Sequence, residues 1–160
     1  LNDTMSANNE NAVFVTMFIG IIDLKTGHLD YCNCGHNAPV YGERRMHTAQ
    51  TVFSFLDVES NVPIGLKPDY TFVGGHLSDI RGSSLFVYTD GVNGAENRMQ
   101  EQFGEKRMLR VLSESTQPFG ERTPKTRSHF LIDDMKCALD AFVDGAEQSD
   151  DLTMLCVSIK

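Results

Sequence analysis

Three acids stand at the ends of apolar runs in this chain. Leu85-Phe86-Val87-Tyr88 runs into Thr89-Asp90-Gly91, and Ser149-Asp150-Asp151 leads into Leu152-Thr153-Met154-Leu155-Cys156-Val157. If both runs are strands and lie antiparallel as neighbours, the exit of one meets the entrance of the other. Asp90 and Asp150 then share one sheet edge. Hard oxygen donors so placed begin a Mg²⁺ or Mn²⁺ site, because such ions need few protein carboxylates and keep several waters. Two such ions can hold hydroxide for in-line attack on phosphorus. Each motif alone reads better as a turn or a solvated strand end, since Asp and Gly are common turn residues. The pair carries more than either member.

Other reactive side chains have plainer readings. Cys32-x-Cys34-x-His36, with His28 nearby, clusters donors of the kind zinc takes. Zinc sites favour C-x₂₋₄-C, however, and no second Cys/His pair follows, so small buried side chains are the better reading. Cys137 and Cys156 read as core residues, and all four cysteines as reduced thiols. His36 lies in the Gly35-His36-Asn37-Ala38-Pro39 turn and reads as structural. No Gly-x-Ser-x-Gly elbow occurs, which removes that route to a serine hydrolase. Asp133-Asp134 read as the wet face of a helix. Arg44-Arg45 and Lys106-Arg107 are solvated basic pairs, with docking of an acidic phosphoprotein as the alternative reading.

The elements that must position these residues follow from periodicity. The chain has 160 residues, 41% of them hydrophobic, which is one domain's length with enough apolar mass for a core. The formal charge of −8 excludes nucleic acid as the main partner, because phosphate contacts need clustered Lys and Arg. No secretory signal opens the chain and no apolar run approaches a membrane span, which points to the cytoplasm. Residue 1 is not Met, so the expectation is a fragment or a processed chain.

Residues 1–7 end a helix. Ala12–Ile22, β-branched almost throughout, reads as a strand covered on both faces. His28–Cys34 is its hairpin partner after Asp23-Leu24-Lys25-Thr26-Gly27, with Leu29, Tyr31 and Asn33 on one side and Asp30, Cys32 and Cys34 on the other. Strands are expected at Val40–Gly42, Thr51–Phe55, Asp69–Val73, Ser84–Tyr88 and Leu152–Ile159. Gly74-Gly75 reads as a turn or bulge. Helices are expected over Glu105–Ser115 and along the Leu131, Met135, Ala138, Leu139, Phe142 stripe, with a loop from Gln117 to Pro124. Many antiparallel strands, two helices and a final returning strand make an α+β fold.

Three segments in this order resemble the PPM-type serine/threonine phosphatases, in the branch of the stage II sporulation protein E phosphatases and stress sigma-factor regulators. The first runs from Phe14-Val15-Thr16-Met17-Phe18 through Asp23, Thr26-Gly27, Leu29, Tyr31 and Asn33 to Gly35-His36-Asn37-Ala38-Pro39. The second is Tyr88-Thr89-Asp90-Gly91-Val92 followed by Phe103-Gly104. The third is Asp150-Asp151-Leu152-Thr153.

The resemblance implies an antiparallel β-sandwich flanked by helices, with a two-metal site that hydrolyses phosphoserine or phosphothreonine through metal-bound hydroxide. It implies Asp90 and Asp150 as catalytic metal ligands. Asp151 becomes a substituting ligand or a neighbour of the ligand set. Thr89, Gly91, Thr153, His36 and Asn37 become supporting residues. The family's Gly-Asp-x-x-Asp hairpin and Asp-x-x-Gly-His-Gly segment are absent, so residues 1–160 correspond to the C-terminal two-thirds of a family domain. The expectation is therefore no metal, or one weakly bound ion, where a complete domain holds two Mn²⁺ or Mg²⁺. The family's x-Thr-Glu after Thr-Asp-Gly is replaced around Asn93-Gly94, with Glu96 the nearest substitute acid. An inactive regulatory domain of the same fold is the alternative. The implied partners are a phosphorylated regulator of the anti-sigma-antagonist type and an upstream sensor or response-regulator domain. Exposed apolar sheet left by the missing strands implies a homodimer or another neighbour.

Overall fold

The computed structural model describes residues 1–7, 9–44, 51–115, 124–148 and 150–159. In chain order its elements are α1 (Asn2–Ser6), β1 (Met17–Ile22), β2 (Leu29–Cys34), β3 (Val40–Arg44), β4 (Thr51–Phe55), β5 (Gly75–Leu77), β6 (Ser84–Tyr88), α2 (Asp90–Asn93), α3 (Gly104–Ser115), α4 (Pro124–Val143) and β7 (Met154–Ser158). They form two compact units, one of Leu1–Ala38 with Asp57–Ile80, the other of Pro39–Leu56 with Arg81–Lys160. The expected α+β class holds, with two antiparallel sheets and helices. No helix among the described residues is long and apolar enough to cross a membrane.

The first unit carries the sheet β1-β2-β5. The β1–β2 hairpin closes on the Asp23 carboxylate, which accepts the Lys25 N–H at 2.8 Å and the Thr26 N–H at 3.4 Å. These N–H groups, that of Lys25 first, hold its carboxyl below the usual range. The strand expected from Ala12 begins only at Met17. Ala12 sits at φ 50, and the Asn9 amide loops back on Val13 through bonds of 2.7 and 2.8 Å, so the chain there is a turn. Nor is β1 covered on both faces. It is an edge strand whose Ile19 and Ile21 are 51% and 72% exposed. The apolar sheet surface expected to be exposed is therefore present.

The strand expected at Asp69–Val73 does not form. The Asn61 amide donates to the Val73 carbonyl at 2.8 Å and accepts the Val73 N–H at 2.9 Å, taking both groups that a ladder would use. Asn61 also donates to the Asn33 carbonyl at 3.1 Å, so one side chain fastens this connector to β2. The short β5 follows instead. It contains Gly75, expected in a turn, because a Cβ there would stand 2.6 Å from the Tyr31 hydroxyl.

The second unit carries the sheet β4-β3-β6-β7, antiparallel throughout. Its core joins Val40, Phe53, Phe86 and Tyr88 of the strands to Met108 and Leu112 of α3 and Leu131, Met135 and Leu139 of α4. The helical stripes read from the sequence are thus the buried faces. Pro124 opens α4 at the first helical position, where its missing N–H costs nothing. The rest of the expected loop at 117–123 lies outside the described residues. Half-buried Arg127 ties α4 to the sheet by donating to the Gly82 carbonyl at 2.9 Å and to the Thr51 hydroxyl. Asp133 is on the wet face and pairs with His129 at 3.0 Å, whereas Asp134 accepts from Ser115 and links α4 to the end of α3.

Candidate metal centre

The site begins with register. β6 and β7 pair from Ser84↔Ser158 to Tyr88↔Met154, so Thr89 and Thr153 come next to each other at the open end. The Thr89 N–H donates to the Thr153 carbonyl at 3.1 Å, extending the ladder by one step. The Thr89 hydroxyl accepts the Thr153 N–H at 3.0 Å and donates to the Asp151 carbonyl at 3.0 Å. One side chain therefore binds the segment before β7 through two bonds. Thr89 is also the N-cap of α2, yet its hydroxyl makes no capping bond, because it is spent across the strands.

α2 replaces the plain turn that Asp-Gly suggests. The Val92 N–H bonds the Thr89 carbonyl at 3.0 Å, and the Gly94 N–H bonds the Asp90 carbonyl at 2.7 Å. Asp90 is its first residue and is exposed, and Gly91 after it is buried. A Cβ on Gly91 would stand 2.4 Å from the Asp151 carbonyl oxygen and 3.3 Å from that of Asp150. The two acid-bearing backbones are thus in direct contact, and only glycine fits. Asp150 and Asp151 are exposed. The Asp150 carboxylate accepts the Asp151 N–H at 2.7 Å, and Gln148 donates to the Asp150 carbonyl at 2.6 Å. Beneath them Tyr88 is buried, and its phenol is pushed up to about 12 by that burial and then by Glu105.

The structure thus brings together Thr89, Asp90, Gly91, Asp150, Asp151 and Thr153. It places His36 and Asn37 in the other unit. There the His36 ring stands 3.3 Å from the Thr16 hydroxyl, and its carbonyl accepts from Asn33 at 2.8 Å. Glu96 is half-buried and bridges to Gln102. Asn97, which the sequence did not mark, organises that loop by accepting the N–H groups of Met99 and Glu101 at 2.9 and 3.0 Å. Arg107 is structural, donating to the carbonyls of Gln102 and Phe103 at 2.6 and 3.0 Å and stacking over Phe142. Lys106 is exposed.

Asp90, Asp150 and Asp151 are exposed acids on backbone segments in contact; a hydrated Mg²⁺ or Mn²⁺ needs only one or two carboxylates and keeps its waters. A pair of ions needs more donors. Among the described residues no group of three or more His, Cys, Asp or Glu side chains is placed to hold a metal. The four cysteines are free thiols. Burial pushes Cys34 and Cys156 up to about 11. Cys137, expected in the core, is exposed on α4.

The fold is that of the PP2C-type phosphatases. The chain superposes on the RsbU and RsbW domains of Rv1364c from Mycobacterium tuberculosis with a TM-score of 0.67 at 19% identity, covering 96% of this chain and 38% of that one. For the PP2C phosphatase domain with a regulatory fragment of SpoIIE from Bacillus subtilis the TM-score is 0.62 at 19% identity, with 90% and 37% covered. For RsbX in complex with magnesium it is 0.55 at 16% identity, with 97% and 59% covered. In sequence the chain is 32% identical to protein IcfG of Synechocystis sp. over 160 residues, spanning 98% of this chain and 22% of that protein. Residues 1–160 match the stage II sporulation protein E (SpoIIE) family throughout, and the chain belongs to that family.

Proposed function

We propose that this chain is part of a metal-dependent protein phosphatase that hydrolyses phosphoserine or phosphothreonine on a regulatory protein, of the type that controls sigma factors through an anti-sigma antagonist. The observation that carries this reading is the closure of the Asp90-Gly91 backbone onto Asp150-Asp151, with Thr89 fastening the contact. Asp90 and Asp150 would hold one Mg²⁺ or Mn²⁺. A bound ion supplies Lewis acidity toward the phosphoryl group and acidifies water. Thr89 and Gly91 fix where the two carboxylates start, and Asp151 adds charge beside them. The magnesium on RsbX and the phosphatase domain of SpoIIE support the same reading. In this reading a sensor or response-regulator domain belongs to the same polypeptide, which acts in the cytoplasm. The exposed Ile19 and Ile21 of β1 meet a second copy or another segment.

A non-catalytic regulatory domain is the second reading. Asn93, which ends α2 where the resemblance implies a Thr-Glu pair, favours it. Mn²⁺-dependent hydrolysis of a generic phosphomonoester by the full-length protein and its Asp90→Asn variant separates the two. Activity lost in the variant is the expected result. No activity in the parent with any divalent ion leaves the regulatory reading, and equal activity in the variant removes Asp90 from the site.

A further inference from the structure

One face of β2 carries a line of donor side chains that the phosphatase reading does not use. Residues two apart on a strand share a face, so Asp30, Cys32 and Cys34 follow one another on it. His28 continues the line, its ring 3.0 Å from the Asp30 carboxylate. The end of this line is unusual. The Cys32 and Cys34 sulfurs stand 3.7 Å apart, with Cys34 buried at 3% exposure and Cys32 half-buried.

Two thiols in contact can close a disulfide or share an ion, and the strand decides between them. A disulfide needs Cβ atoms roughly 3.5–4.5 Å apart, and deviation from that geometry stores strain. Side chains two positions apart on a strand rising about 3.3 Å per residue start about 6.6 Å apart. A tetrahedral ion with metal–sulfur bonds of about 2.3 Å needs about 3.8 Å between its sulfurs. The observed 3.7 Å matches that span without moving either sulfur.

We propose that Cys32 and Cys34 form a two-thiolate site for a thiophilic divalent ion of the zinc and cadmium class, apart from the carboxylates of the other unit. Binding releases one proton from each thiol as two metal–sulfur bonds form, with no change of oxidation state. Two coordination positions remain for water, so the ion is exchangeable rather than a structural zinc, which takes four protein ligands. Because both thiols must lose their protons to bind, occupancy rises with pH. The site also has a route to the rest of its unit. The Cys32 sulfur lies 3.7 Å from the Asn61 amide nitrogen and 3.6 Å from the Val73 carbonyl. Asn61 is the side chain that fastens the connector to β2. An ion held by the folded pair therefore stabilises this unit by mass action.

Cadmium titration of the full-length protein tests this. The expected result is an ultraviolet thiolate-to-metal band saturating at one Cd²⁺ per chain through these two thiols, with Cys32 and Cys34 protected from a thiol reagent. Cys32→Ala and Cys34→Ala should each weaken Cd²⁺ binding by at least about tenfold, because a single thiolate no longer chelates. Cys137→Ala should leave it unchanged. Far-ultraviolet circular dichroism checks each variant. If the buried Cys34→Ala does not fold, the half-buried Cys32→Ala decides. A band that survives Cys32→Ala, or that disappears with Cys137→Ala, overturns the assignment.

Discussion

Gly91→Ala is the sharpest perturbation of the candidate metal centre, because two opposite effects act on one methyl group. Gly91 lies within α2, in a helical turn. On backbone terms alone, alanine in a helix is favoured over glycine by roughly 0.5–1 kcal/mol. Against this, the new methyl would stand 2.4 Å from the Asp151 carbonyl oxygen and 2.9 Å from its carbonyl carbon. Ordinary contact needs about 1 Å more, and the obstacle is backbone, which has no alternative rotamer. Overpacking of this kind costs about 1–3 kcal/mol, so the clash wins and the variant is less stable by up to about 2 kcal/mol. The relief is a shift of the Asp150-Asp151 segment away from Asp90 by about that same ångström, which would separate the carboxylates an ion would share and weaken its binding. Thermal unfolding and Mn²⁺ binding by calorimetry, each on the full-length protein, read the two consequences separately. A variant as stable as the parent with the same Mn²⁺ affinity would show that the two segments do not depend on this contact.

Two further predictions concern the same strand end. Thr89→Val keeps the shape but deletes the bonds to Thr153 and Asp151, each at 3.0 Å. With the freed groups near water, this removes about 1–2 kcal/mol, and Tm falls by roughly 2–8 °C for a domain of this size. Thr89→Ser keeps the hydroxyl and should recover most of the loss, so a serine variant as unstable as valine would refute the bonding argument. Burial, and then the Glu105 carboxylate, push the Tyr88 phenol from 10.0 up to about 12 in the folded chain. The unfolded chain ionises first, so the stability Tyr88 confers is intact below pH 10 and drains away as pH rises toward 12. Urea unfolding midpoints across that interval should fall in the parent and fall less in Tyr88→Phe.

Much of the fold was legible because apolar periodicity and burial are the same fact seen twice. Thr51–Phe55 and Ser84–Tyr88 are strands at the expected bounds, and the Met108 and Leu131 stripes are the buried faces of α3 and α4. The misses came where a single polar side chain outweighed local propensity. Val73 and its neighbours have strand composition, but Asn61, 12 residues away, occupies the Val73 backbone. Val13 and Phe14 are as β-branched or aromatic as the strand after them, yet Asn9 and the left-handed Ala12 fasten Val13 to the turn before it, outside the strand. Strand propensity describes fit to a pleated surface, and neither segment joins a sheet, Val15 pairing only with Ile64 in an isolated bridge.

The candidate site divides in the same way. That Asp90 and Asp150 stand at meeting strand ends follows from one antiparallel pairing, which the two apolar runs made visible. What fastens them does not. Thr89 looks like an N-cap and Gly91 like a turn residue, and local pattern assigns them those roles. Their actual contacts reach to residues 62 positions away in the Thr89–Asp151 bond, where only register can bring them. A one-residue slip between β6 and β7 would turn every side chain to the opposite face and break both threonine bonds together. The core beneath them guards against that slip: Phe86 and Tyr88 must stay on the buried face with Met154 and Cys156 opposite. The placement of the carboxylates is thus set by the register of buried hydrophobic residues, and core packing and the alignment of Asp90 with Asp150 are expected to change together.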